Sequence, residues 1–355
     1  MKKERSYYEQ REIKCIERIE IIIAELPPFV RDFFVGIESR TSSLSRMNYA
    51  YDLRIFFDFL SKKLLKGKDI DQITLVDLAN LQSYDFEYFL NYLSSYYING
   101  KIERCTETGK ARKLSTLRAF YKYFFNKNLL PANTPTKVLM PKIHEKEIIR
   151  LETNEKKDEV SEILAIAESG IGLTKRQKSY HESTAKRDTA ILTLFLGTGI
   201  RISELIGLNV ADVDFRTNSF VVTRKGGNRT ILYFNDEVAQ SLSIYLNSRS
   251  DIKRENEGSE PLFLSIQNKR IATRTVQELV KKYARIASPL KKITPHKLRS
   301  TFGTNLYRET GDIYVVADCL GHKDVNTTRR HYAAISEDSR KSAAQRVSLN
   351  KKSDF

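Results

Sequence analysis

Apolar residues recur at Ile13, Ile16, Ile19, Ile22, Ile23 and Leu26, the three-and-four spacing that gives a helix one oily face, and Pro27-Pro28 stop the pattern. A leading helix of this kind predicts packing on the rest of its own chain. From Ser42 to Met140 the helical period continues. Ser42 and Ser43 offer capping hydroxyls to a helix carrying Tyr49, Leu53, Phe56, Phe57 and Leu60. Asp85 opens another, with Phe86, Phe89, Leu90 and Leu93 on one side, and a third runs through Leu114, Leu117, Phe120, Tyr121 and Phe124. Short turns and a break at Gly109-Lys110 separate them, which predicts a small helical bundle.

The period is then lost. NTPTKVLMPKIHEKEI is basic, proline-bearing and non-periodic, and reads as an extended linker before a second domain that begins near Leu151. A helix from Glu159 to Ala167 precedes a polar segment, 170–186, that reads as an exposed insertion. Arg187 to Leu196 forms a buried helix ended by Gly197-Thr198-Gly199, and Arg201 starts the next one. Between Asp212 and Tyr233 the alternation shortens to two. Ser219 to Thr223 and Arg229 to Tyr233 flank Lys225-Gly226-Gly227-Asn228, a hairpin turn. Helices return afterwards, with Gly311 and Gly321 as stop signals. The expected fold class is mainly α with a small antiparallel β-sheet. The expected division is an extension helix (1–35), a helical domain (36–140), a linker (141–155), a second domain (156–335) and a tail (336–355).

Charge changes the picture. The formal net charge is +16, from 60 basic against 44 acidic residues spread along all 355 positions, so the excess is a broad positive surface and not a basic tail. Nucleic acid is the natural partner of such a surface, because binding releases counterions from phosphates. Lys110, Arg112, Lys113 and Arg118 open the third helix beside aromatic positions and are the candidate DNA-binding face. Cys15, Cys105 and Cys319 are odd in number, far apart and in no C-x-x-C arrangement, which argues against a zinc site or disulfides and for a reducing cytoplasm. Charges interrupt the first apolar stretch, and no run reaches membrane-spanning length.

The chemistry concentrates near the C-terminus. Arg201 lies in GTGIRISEL, Lys225 in RKGGN, His296 and Arg299 in TPHKLRST, His322 in LGHKD and Tyr332 in RRHYA. Thr294-Pro295 is a helix start, with a capping hydroxyl and then proline at the first position. His296 and Arg299 then share one face of the first turn, at the positive helix end, where a phosphate is welcome. Arg201, at another helix start, would reach the same anion, with Glu204 holding it in place. Two guanidiniums on nonbridging oxygens oppose the charge that builds on a pentacoordinate phosphorus. Lys225 would protonate a leaving 5′-oxygen, His322 would be aimed inward by the turn at Gly321, and Tyr332 is the candidate nucleophile. His331 reads as structural, and His144 and His181 as solvated.

Those motifs, in that order and spacing, resemble the tyrosine recombinases, the integrase and Xer group. The likeness covers roughly Leu151 to Ile335 well, and Ser42 to Met140 is similar to the family's SAM-like core-binding domain through less specific motifs. The resemblance implies that Arg201, Lys225, His296, Arg299, His322 and Tyr332 are the six catalytic positions. It implies two domains closing as a clamp on duplex DNA, a 3′-phosphotyrosyl intermediate, and strand exchange through a Holliday junction. It further implies a homo-tetramer, or a pairing with a related recombinase, on two DNA sites, and a tail that docks on a neighbouring protomer. Neither metal nor ATP nor any other cofactor is implied, because the phosphotyrosyl bond stores the energy. A type IB topoisomerase typically has lysine at the position of His296. A metal-dependent nuclease lacks a third acid to join Asp212 and Asp214, and a non-catalytic DNA-binding protein has no need of Tyr332 with every partner.

Overall fold

The computed structural model describes residues 6–98, 100–143, 149–154, 157–224, 227–249, 260–321 and 325, and the chain divides into two compact units, Met1–Lys146 and Glu147–Phe355. Both are mainly helical, as the periodicity predicts, and both also contain short antiparallel strands, which the sequence predicts only in the second unit.

In the first unit, α1 (Tyr7–Ile23) starts on a reciprocal cap. The Ser6 hydroxyl accepts the Glu9 N–H, and the Glu9 carboxylate accepts the Ser6 N–H. Ile19, Ile22 and Ile23 are buried, but Ile16 faces solvent and Cys15 takes the inward position. The expected single extension helix is two helices, because α2 (Val30–Gly36) follows the proline pair directly, with Val30 N–H donating to Pro27. Both join the same core as α3 (Ser43–Phe59), α4 (Leu75–Asn80), α5 (Ser83–Tyr92) and α6 (Glu107–Asn126).

That core is aromatic. Phe33 meets Phe120 edge to face at 5.1 Å, as Phe56 meets Phe89 at 5.2 Å, each pair worth about 0.5–1.5 kcal/mol beyond burial. Between α5 and α6 lies a hairpin of β1 (Tyr96–Ile98) and β2 (Lys101–Glu103). Asn99-Gly100 between them in the sequence is a strong hairpin signal that helical periodicity obscures. Gly109-Lys110 is no break: Thr106 caps α6, its hydroxyl accepting the Gly109 N–H, so both residues lie in the first turn. The start of the NTPTKVLMPKIHEKEI stretch is packed and not extended linker. Asn133 to Val138 packs on this unit, with Pro135 and Val138 buried and Arg118 holding the carbonyls of both.

The second unit opens with a two-residue pair, β3 (Thr153–Asn154) against β4 (Lys157–Asp158), then α7 (Glu159–Ser169). The expected insertion is helical: Thr174 caps α8 (Lys175–Thr198), a single 24-residue helix whose early turns contain the polar segment. His181 is accordingly not solvated, since its Nε2 lies 2.8 Å from the Ala167 carbonyl. After α9 (Ile202–Gly207) come β5 (Val213–Asp214), β6 (Ser219–Thr223) and β7 (Arg229–Tyr233), an antiparallel sheet in that order. The remaining helices are α10 (Asp236–Asn247), α11 (Thr273–Ala287), α12 (Pro295–Thr310) and α13 (Ile313–Leu320).

A buried carboxylate joins α8 to α11. Asp188 accepts from Arg187 Nη2 at 2.7 Å, Lys282 Nζ at 3.0 Å and Tyr283 Oη at 2.8 Å. Asp188→Ala strands two cations and a phenol, and the expected cost is about 3–5 kcal/mol, read as a fall in the urea midpoint with no change in slope. A change near zero would remove this cluster from the account of stability.

Candidate active site

The site is assembled from helix ends. Gly199 ends α8 with φ of +61°, and a Cβ there would collide with Phe302 of α12 and crowd Leu320 of α13. Arg201 follows as the residue capping α9. Its backbone N–H donates to Glu204 Oε2 at 2.9 Å and its Nη1 to Glu204 Oε1 at 2.8 Å. Glu204 is buried, so the arginine is oriented by a carboxylate that has little water to turn to, as the sequence predicts. Arg201 Nη2 donates onward to the Gly321 carbonyl at 3.0 Å.

Pro295 occupies the first turn of α12, but the Thr294 hydroxyl makes no capping bond, which corrects that part of the expectation. His296 is exposed on the first turn, and Arg299 is buried one turn later. Arg299 Nη1 donates to the Gly199 carbonyl and Nη2 to the Leu320 carbonyl. The tertiary fold therefore brings Arg201 and Arg299 to one place, the C-terminal end of α13. Gly321 ends that helix with φ of +59°. A helix C-terminus exposes unpaired carbonyls and partial negative charge, which guanidiniums complement. The planar guanidinium fork is also the cation that matches a phosphate edge.

Other nucleophiles recede. Burial, with Asp318 adding to it, pushes the Cys319 thiol above its ordinary range, so little thiolate exists at neutral pH. Burial pushes the phenols of Tyr121 and Tyr283 well up, Asp188 adding to the effect at Tyr283. Among the described residues no group of three His, Cys, Asp or Glu is placed to hold a metal ion.

Residues 155–338 match the phage integrase family, and residues 32–128 match the phage integrase N-terminal SAM-like domain. The chain belongs to the phage integrase family. It is 34% identical over 328 residues to the tyrosine recombinase XerC of Caldanaerobacter subterraneus subsp. tengcongensis, covering 88% of this chain and 86% of that one. It is 29% identical over 350 residues to the tyrosine recombinase XerS of Streptococcus thermophilus, covering 92% and 97%. The fold is similar to that of XerH site-specific recombinase bound to palindromic difH substrate, with a TM-score of 0.62 at 17% identity, over 85% of this chain and 80% of that one.

In this integrase-family chain Lys225, His322 and Tyr332 lie outside the described residues, as do His144 and His331. Of the basic residues read as a DNA face, only Arg112 is well exposed, and it pairs with the buried Asp52. Lys110 pairs with Glu107 at 2.9 Å. Lys113 is buried, with Nζ 3.1 Å from Asp52, and Arg118 is engaged with backbone carbonyls. The fold thus turns Lys113 and Arg118 inward, away from the surface role read from the sequence. Helical spacing misses this because the partners, Asp52 on α3 for Lys113 and the carbonyls of Pro135 and Val138 for Arg118, lie outside α6. Sequence reasoning also passed over Arg224, whose Nη2 donates to the Cys319 carbonyl at 3.3 Å. Its position beside Lys225 in RKGGN was the available signal.

Proposed function

We propose that this chain, a tyrosine site-specific recombinase by family, cleaves double-stranded DNA with Tyr332. The phenol oxygen attacks the scissile phosphorus and gives up its proton to a neighbouring base, in a site where His296 and His322 are the candidates. The bond from phosphorus to the 5′-oxygen breaks, and that oxygen leaves as a hydroxyl after taking a proton from Lys225. A 3′-phosphotyrosyl bond remains. A 5′-hydroxyl from a partner duplex attacks it, the tyrosine recovers its proton, and no net energy input is needed.

Arg201 and Arg299 hold the nonbridging oxygens throughout. The observation that carries this reading is their convergence on the end of α13, from two different helix starts. Exposed Arg112 is the first candidate for a phosphate contact in the helical unit, with Lys110 beside it. The N-terminal and catalytic units would close on the duplex as a clamp, four protomers acting on two sites through a Holliday junction. The tail from residue 336 onward would reach a neighbouring protomer. A cytoplasmic role in resolving chromosome dimers is the first reading, on the resemblance to the Xer group, and movement of a mobile element, on the resemblance to integrases, is the second. No described helix is long and apolar enough to cross a membrane.

A nicked suicide duplex tests the reaction. Incubation in excess chelator is expected to leave DNA joined through its 3′ end to the peptide containing Tyr332, with a free 5′-hydroxyl on the other product. An adduct at another residue, or cleavage that needs added Mg²⁺, would overturn the proposal.

A further inference from the structure

We infer that Arg224 is a positioning residue for the proton transfer to the leaving 5′-oxygen, because it pins the root of the β6–β7 hairpin to the end of α13 that receives Arg201 and Arg299. The inference rests on the reading in which Lys225, the next residue in the chain, is the acid.

Arg224 closes the hairpin with its backbone and leaves it with its side chain. Its N–H donates to the Asn228 carbonyl at 2.8 Å, and its own carbonyl accepts the Gly227 N–H at 3.0 Å, so the turn is built on this residue. A guanidinium at a hairpin tip ordinarily points into water. Here it lies against Gly321, so closely that a Cβ on that glycine would strike it, and Nη2 reaches the carbonyls of Cys319 at 3.3 Å and Asp318 at 3.5 Å. Its Nε is buried with no hydrogen-bond partner among the described residues. An unsatisfied buried donor is costly, so the attachment this guanidinium makes must offset it.

Three guanidiniums, from the start of α9, the end of β6 and the first turns of α12, thus share the last carbonyls of one short helix. Arg201 and Arg299 carry the candidate phosphate site. Arg224 ties the hairpin to the same reference point. The ladder and the buried Phe220, Val222 and Leu232 hold the body of the hairpin, while the Arg224 guanidinium links its turn end to α13. A general acid must sit within hydrogen-bond reach of its oxygen, and a misplacement of about 1 Å costs roughly 100-fold. A flexible lysine stem on an unanchored turn would not meet that tolerance.

The test compares single-turnover cleavage of two duplexes, one with the ordinary 5′-oxygen at the scissile position and one with a bridging 5′-sulfur. A thiolate leaves without a proton, so the sulfur-to-oxygen rate ratio reports how much the acid contributes. Because both rates come from one preparation, the ratio is independent of the folded fraction. Lys225→Ala is expected to raise the ratio by about 100-fold. Arg224→Ala and Arg224→Met are expected to raise it by at least about 10-fold, and Arg224→Lys, which keeps one donor for the Cys319 carbonyl, by less. If the Lys225→Ala ratio stays at the parental value, the assignment of the acid fails. If it rises while the Arg224 ratios stay parental, the positioning role of Arg224 is overturned.

Discussion

Tyr332→Phe is expected to bind the recombination site with parental affinity and to leave no covalent DNA adduct. The ring keeps its shape, and only the nucleophilic oxygen is lost. Binding is dominated by phosphate contacts across a surface of net charge +16, which one hydroxyl barely changes. Burial pushes up the phenols of Tyr121 and Tyr283 and the Cys319 thiol, which makes these three poor substitutes. The expected loss is roughly 10⁴-fold or more, the scale set by removing a nucleophile outright. Denaturing gels of suicide-substrate reactions measure it, and a persistent adduct would place the nucleophile elsewhere.

Arg201→Ala and Arg299→Ala are expected to lose cleavage by about 10²–10³-fold each while DNA binding falls by less than about 10-fold. A guanidinium aimed at the nonbridging oxygens gains most when charge accumulates in the transition state, so the loss belongs to the rate. The structure gives each variant its own cost in stability. Arg201→Ala leaves the buried Glu204 carboxylate with the backbone N–H of residue 201 but without its cation, and a stability loss of about 3–5 kcal/mol is expected. Arg299→Ala strips donors from the carbonyls of Gly199 and Leu320 in a buried site, and an additional stability loss of about 2–4 kcal/mol is expected. Single-turnover cleavage at saturating protein, gel-shift titration and thermal melting resolve the three quantities. Equal losses in binding and cleavage would remove the arginines from the transition state.

The reading of the sequence held where a physical signal is local. The aromatic positions Phe56, Phe89, Phe120 and Phe124 repeat at helical spacing and are buried together. The strands at 219–223 and 229–233 alternate and pair as expected. Glu204 lies one turn from Arg201 and holds it. The misses share the opposite character. Segment 170–186 is polar because most of its residues are exposed, and that polarity hid a helix whose capping pair, Thr174 and Gln177, was legible. Lys113 of α6 looked like a surface residue because its counter-charge, Asp52, belongs to another helix.

The chain's own order of residues determined its helical character, the pairing of its small sheet and the chemical types available for phosphoryl transfer, since hydrophobic period, turn glycines and side-chain identity are properties of short segments. Tertiary structure decided which charges meet. Arg201, Arg224 and Arg299 become one cluster only because α13 ends beside the starts of α9 and α12, and Lys113 becomes structural only because α3 packs on α6. No local rule encodes those meetings, because their free energy comes from burying whole helix faces far apart in sequence.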